Sequence, residues 1–159
     1  MIQRREMLTR STQVAGMLAA LGLLPGLSGP ALAADAPGYN AAAFNAKSMA
    51  DVMKALGAAA PTESKDVTIT GPDIAENGAV VQVGAASTLP GVKRLLLLVE
   101  KNPATLSAMF DISDAVEPQI TTRVKMGQSS NVYAVALTGD GKVHYAAKEV
   151  KVTLGGCGG

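Results

Sequence analysis

Between Asn40 and Leu56 the apolar positions recur at helical spacing. Ala41, Phe44, Met49, Val52, Met53 and Leu56 fall on one side at about 100° per residue, and Lys47, Asp51 and Lys54 fall on the other. Asn45 is the one misfit on the apolar arc, and Gly57 with Pro61 ends the segment. A methionine-bearing stripe of this kind is a packing face. After residue 66 the period changes to two. Val67-Thr68-Ile69-Thr70 alternates, as does Ile120 to Met126, and between them lie Ala79 to Val83, the denser run Val92 to Val99, and Leu106 to Ile112. Asn131 to Leu137 and Val143 to Ala147 flank Gly139-Asp140-Gly141, a hairpin signal because Gly and Asp tolerate positive φ. A last stretch, Glu149 to Leu154, sets Val150, Val152 and Leu154 against Lys151 and Thr153. Short strands punctuated by Pro72, Pro90, Pro103 and Pro118 predict a mainly β fold. The expected architecture is an immunoglobulin-like antiparallel β-sandwich with one N-terminal amphipathic helix and a flexible C-terminal tail. The chain has one Cys and no Trp, so the disulfide-and-Trp core of antibody domains is excluded; a small barrel is the alternative.

The start of the chain reads differently. Arg4-Arg5 opens a charged segment, an uncharged apolar run extends from Val14 to Leu27, and Ala31-Leu32-Ala33 supplies the small residues a signal peptidase requires. Gly16, Gly22, Pro25 and Gly26 break the run, which is too short for a membrane-spanning helix. Gln3-Arg4-Arg5-Glu6-Met7-Leu8 is similar to the twin-arginine export motif, with Gln for the usual Ser or Thr and Met for the usual Phe. The expected organisation is a twin-arginine signal peptide over 1–33, a leader and helix packed on the sandwich over 34–66, the sandwich over 67–154, and a glycine-rich arm over 155–159.

Composition narrows the function classes. With 48% apolar residues, three Tyr and two Phe, the 159-residue chain supports one modest core built from aliphatic side chains and methionine. The formal net charge is +1; without Arg4, Arg5, Arg10 and Glu6, the 14 basic and 13 acidic residues become 11 and 12, a charge of −1. No basic stripe survives that removal, which argues against a nucleic-acid partner.

Chemistry is visible at one place, Gly155-Gly156-Cys157-Gly158-Gly159. Glycines cannot be held by side-chain packing and lose the most entropy on ordering, so the thiol is expected on a thin, flexible arm reaching roughly 10 Å beyond Leu154. Cys157 has no second cysteine to pair with, four glycine neighbours that argue against burial, and a place third from the end where prenylation needs fourth. An unperturbed thiol has a pKa of about 8.5 and is about one-tenth thiolate at pH 7.5, and nothing in the tail activates it. His144, beside Tyr145 on an expected strand, reads as an ordinary strand histidine, and Asp111, Asp114 and Glu117 read as a solvated loop. No nucleophile elbow, phosphate loop or paired metal-ligand set is present, so no catalytic, cofactor-binding or metal residue is assigned.

The run Val150-Lys151-Val152-Thr153-Leu154-Gly155-Gly156-Cys157-Gly158-Gly159 resembles the C-terminus of the SoxY family, the sulfur-carrier subunits of thiosulfate-oxidising Sox systems. The resemblance implies a periplasmic carrier and not an enzyme. Cys157 would be the point of covalent attachment, with Gly155, Gly156, Gly158 and Gly159 as the arm. It further implies a heterodimer with a SoxZ-like subunit and transient visits to other Sox proteins. Among these, a c-type cytochrome couples thiosulfate to the cysteine and a dimanganese hydrolase releases sulfate. Three other readings stay open on the residues alone: a ubiquitin-like sulfur carrier with a thiocarboxylate on Gly159, an enzyme with Cys157 as nucleophile, and a plain binding module.

The processed protein is expected to begin at or near Ala34. N-terminal sequencing of exported material checks this, and a start before residue 30 would refute it. Arg4→Lys with Arg5→Lys should trap the precursor inside the cell.

Overall fold

The structure, a computed structural model, describes residues 39–153. The signal segment and the Gly155–Gly159 arm lie outside the described residues.

Helix α1 (Ala41–Phe44) starts at Asn40, whose side chain accepts from the Ala43 amide. Helix α2 (Met49–Leu56) starts at Ser48, whose side chain accepts from the Asp51 amide, and ends at Gly57 with φ +64°. The expected single helix is therefore two. The first helix ends at Asn45, whose backbone amide donates to the Ala41 carbonyl, and the second opens at Ser48, whose side chain offers the backbone a local bond in place of continued helix. Asn40 Nδ2 donates to the Ala55 carbonyl and so ties the two helices together.

Among the described residues nine strands follow: β1 (Thr62–Glu63), β2 (Val67–Thr70), β3 (Ile74–Ala75), β4 (Val81–Ser87), β5 (Val92–Val99), β6 (Leu106–Asp111), β7 (Gln119–Val124), β8 (Ser130–Thr138) and β9 (Val143–Val152). One sheet has the order β1-β9-β8-β5-β6, with β3 also on β9, and the other has the order β2-β4-β7. Both are antiparallel except where β1 and β3 join β9 in parallel. The fold is an immunoglobulin-like sandwich, as the alternation predicts. The two stretches expected at Val143–Ala147 and Glu149–Leu154 are one ten-residue strand as far as Val152. β8 and β9 meet in the expected hairpin, with Gly141 at φ +83°.

Alternation explains the faces. Val81, Val83 and Ala85 of β4 and Val67 of β2 pack against Leu95, Leu97, Val99, Val132 and Ala134 of the larger sheet. Gln82, Gly84, Thr68, Thr70, Thr121 and Arg123 occupy the alternate positions of the smaller sheet. β4 runs on to Ser87, past the expected end at Val83, because Gly84 lets β2 and β7 close in on it. A Cβ at Gly84 would lie 2.5 Å from Thr70 Oγ1 and 3.0 Å from the Ile120 carbonyl.

The dense run of β5 has a separate cause. Leu95, Leu97 and Val99 face the smaller sheet, while Leu96 and Leu98 face the helices beside Val52, Met53 and Ala43. All five β5 residues have 0% exposure because the sheet is covered on both sides. Leu96→Ala and Leu97→Ala should therefore each cost about 2–5 kcal/mol. Chemical denaturation measures this, and a loss below about 1 kcal/mol for either would contradict double-sided burial.

Candidate functional site

The described point nearest the predicted arm is the end of β9. Its hydrogen-bonded register with β8 runs from Leu137↔Val143 to Ser130↔Val150 and stops there. β9 nevertheless continues for two residues, because β3 takes over on the opposite edge, with Ile74↔Lys151 and Ala75↔Val152 in parallel register. The Lys151 amide donates to the Asp73 carbonyl at 3.0 Å and the Thr153 amide to the Ala75 carbonyl at 3.1 Å. On the β8 side, the Val152 amide donates to Ser129 Oγ at 2.9 Å. Thr153 Oγ1 adds a contact to the Glu76 carbonyl at 3.3 Å.

The segment carrying β3 crosses from the smaller sheet to the edge of the larger one. Its crossing is clipped by Lys148, whose Nζ donates to the Gly71 carbonyl at 2.7 Å and pairs with Asp73 Oδ1 at 2.9 Å. The hydrogen bond from Lys148 and then its charge hold the Asp73 carboxyl below the usual carboxylate range. Asp73 is fully exposed, so the ion pair itself adds little to stability. Gly78 closes the far end of the crossing. Its carbonyl accepts from the Met126 amide at 2.7 Å, and a Cβ there would lie 2.4 Å from the Met126 carbonyl oxygen and 2.8 Å from Val152 Cγ1. Val152 is in turn half-buried against the inter-sheet core.

The other candidates are elsewhere. His144 lies at the opposite end of β9, eight residues and about 26 Å from Val152 along the strand. It borders an open depression of about 450 Å³ whose lysines are engaged: Lys93 with Asp114 at 2.6 Å and Lys142 with Asp140 at 2.8 Å. Asp111 pairs with Arg94 at 2.6 Å, so two members of the acidic loop are ion-paired to β5. Among the described residues no three His, Cys, Asp or Glu side chains are placed to hold a metal ion. Neither His144 nor the acidic loop is brought to the end of β9. Cys157 and Gly155, Gly156, Gly158 and Gly159 lie outside the described residues.

Asp73, Ala75, Gly78, Ser129 and Lys148 escape sequence reasoning. A two-residue strand has no periodicity to read, and the pair of glycines at 71 and 78 around Pro72 registers only as turn punctuation.

A family model described as "Sulfur oxidation protein SoxY" matches residues 52–157, a span that ends on Cys157. Among solved structures, the sulfur carrier protein SoxY from Chlorobium limicola f thiosulfatophilum is 33% identical, with a TM-score of 0.59 over 65% of this chain and 93% of that one. A superoxide reductase (neelaredoxin) from Ignicoccus hospitalis is 19% identical, with a TM-score of 0.50 over 55% of this chain and 80% of that one, a likeness of fold alone. No curated protein matches the chain.

Gly78→Ala should overpack the end of β9 and destabilise the protein by about 1–3 kcal/mol. Gly127→Ala, where an added Cβ meets nothing within 4 Å, should stay within about 0.5 kcal/mol of wild type. Equilibrium denaturation of the two variants side by side makes the comparison.

Proposed function

The chain belongs to the SoxY family of sulfur oxidation proteins, and from that premise we propose that it is a periplasmic carrier holding sulfur intermediates of thiosulfate oxidation covalently on Cys157. The observation that carries the reading is the match through residue 157, which includes the cysteine itself, joined to a β9 end fastened up to Thr153. The described chain is thus fixed up to the residue before the segment that leads into the glycines. Gly155, Gly156, Gly158 and Gly159 serve as the arm that takes the sulfur into narrow sites of other proteins. A SoxZ-like subunit completes the carrier, and the twin-arginine route exports it.

The chemistry on Cys157 is simple to balance. The thiol and thiosulfate lose two electrons and one proton and form a Cys–S–S–SO₃⁻ adduct, the electrons passing to the c-type cytochrome partner. Water then cleaves the bond from the sulfane sulfur to the sulfonate, which gives sulfate, two protons and a Cys–S–S⁻ persulfide; the dimanganese hydrolase performs this step. Every catalytic group belongs to a partner. Left unactivated, the thiol of the empty carrier stays out of exchange with the disulfides it meets between visits.

Peptide mapping of protein from thiosulfate-grown cells should find added sulfur on the Cys157 peptide and none on the Gly159 carboxylate. Cys157→Ser should abolish loading. Gly156→Val with Gly158→Val should slow enzymatic loading by about 10-fold or more, while alkylation by a small reagent stays near wild type. Sulfur found on Gly159, or a parallel fall in alkylation, would overturn the reading.

A further inference from the structure

We propose that the segment from Gly71 to Gly78 is a clamp that fixes where the carrier tail leaves the sheet, with Lys148 and Asp73 as positioning residues for the loading of Cys157. The inference rests on Cys157 being the attachment site. Its physical basis is independent of that reading.

Past the Ser130↔Val150 rung, β8 no longer supports β9 with its own backbone ladder. Residues 151–153 are held by three kinds of contact. The clamp backbone accepts from the Lys151 and Thr153 amides, the Ser129 side chain accepts from the Val152 amide, and Val152 packs on the core beside Gly78. The clamp is short, with only Ile74 and Ala75 in strand pairing, and a parallel pairing of two residues has little cohesion of its own. Ile74 is 58% exposed and adds little burial. Ala75 is buried in the inter-sheet core and the Gly78 carbonyl accepts from the Met126 amide, which anchors the middle and far end of the segment; Lys148 fastens its start, reaching both Gly71 and Asp73 from within the strand that the clamp embraces.

The consequence is a defined reach. With the clamp closed, the chain is fastened to the sheet as far as Thr153. With it open, residues 151–153 would join the arm and lengthen it by about 10 Å. A thiol that must meet a reacting centre inside another protein loses rate steeply with small misplacements. A tether of fixed origin narrows the volume the thiol searches, and a longer one dilutes it.

The test uses the full chain with its subunit and c-type cytochrome partners, and thiosulfate as the probe. Lys148→Met should raise amide hydrogen exchange at Lys151 and Thr153 by about 10-fold or more, with Val132 and Ala134 unchanged. Thiosulfate loading of Cys157 should fall about 10-fold, and iodoacetamide alkylation should not change. Lys148→Arg keeps the charge and the donors and should behave as wild type. Faster exchange with unaltered loading would overturn the positioning role, and unprotected amides at 151–153 in the wild type would overturn the clamp. A wild type that takes up no sulfur at all would refute the carrier reading, and the positioning role with it. The exchange data would then still decide the clamp.

Discussion

A strand can bury successive side chains only if both faces of its sheet are covered, and Leu95 to Val99 have no exposed surface. That requirement shapes the rest of the protein. The smaller sheet covers Leu95, Leu97 and Val99, and the two helices cover Leu96 and Leu98. β8, hydrogen-bonded to β5 over most of its length, inherits the same arrangement: Val132 and Ala134 face one layer, Tyr133 and Val135 the other. Aromatic side chains are hardly needed, because aliphatic residues on two faces of one strand supply the burial that a single-sided sandwich would seek from larger groups.

β9 is the first strand outward from that rigid pair, and it changes character along its length. At its start it is braced on one edge by β8 and on the other by β1, and at its end by β3 alone apart from one side-chain bond from Ser129. Firm anchoring on the β8 side thus ends at Val150. The transition from sheet to tail is therefore made by a short strap from the opposite layer of the sandwich. Gly78 is the steric condition for the strap to close, since any side chain there would collide with Met126 and Val152.

Much of this was legible in the residues. Period-two alternation places nearly all the long strands, and Gly139-Asp140-Gly141 marks the β8–β9 hairpin. The density of Val92 to Val99 signals burial without saying what covers each face. The break at Asn45 was visible only as a misfit on the helical arc. Its cause is tertiary as well as local, since the Ala46 carbonyl accepts from the Thr105 amide in the β5–β6 connection. β1 and β3 were not legible at all: each is two residues long and exists because an edge of β9 is there to receive it. Cys157 stands out in sequence because its neighbours are all glycine, whereas Lys148 looks like any surface lysine until Gly71 and Asp73 are placed against it.

The division of labour in the proposed carrier follows from where ionisable groups are and are not. Lys93, Arg94, Lys142 and Lys148 are each committed to a carboxylate, and the first three of these pairs cluster toward the end of the sandwich where β9 begins. The hydrogen bonds and charge that Asp140 receives hold its carboxyl well below the usual range, so that pair stays ionised under any physiological condition. At the other end of β9 the described groups that touch the strand's last residues are backbone amides and carbonyls, two hydroxyls and Val152. In the proposed carrier the reactivity of the Cys157 thiol would be set by the partner site that receives it. A strap that governs position without touching acidity is the kind of control such a carrier can exert.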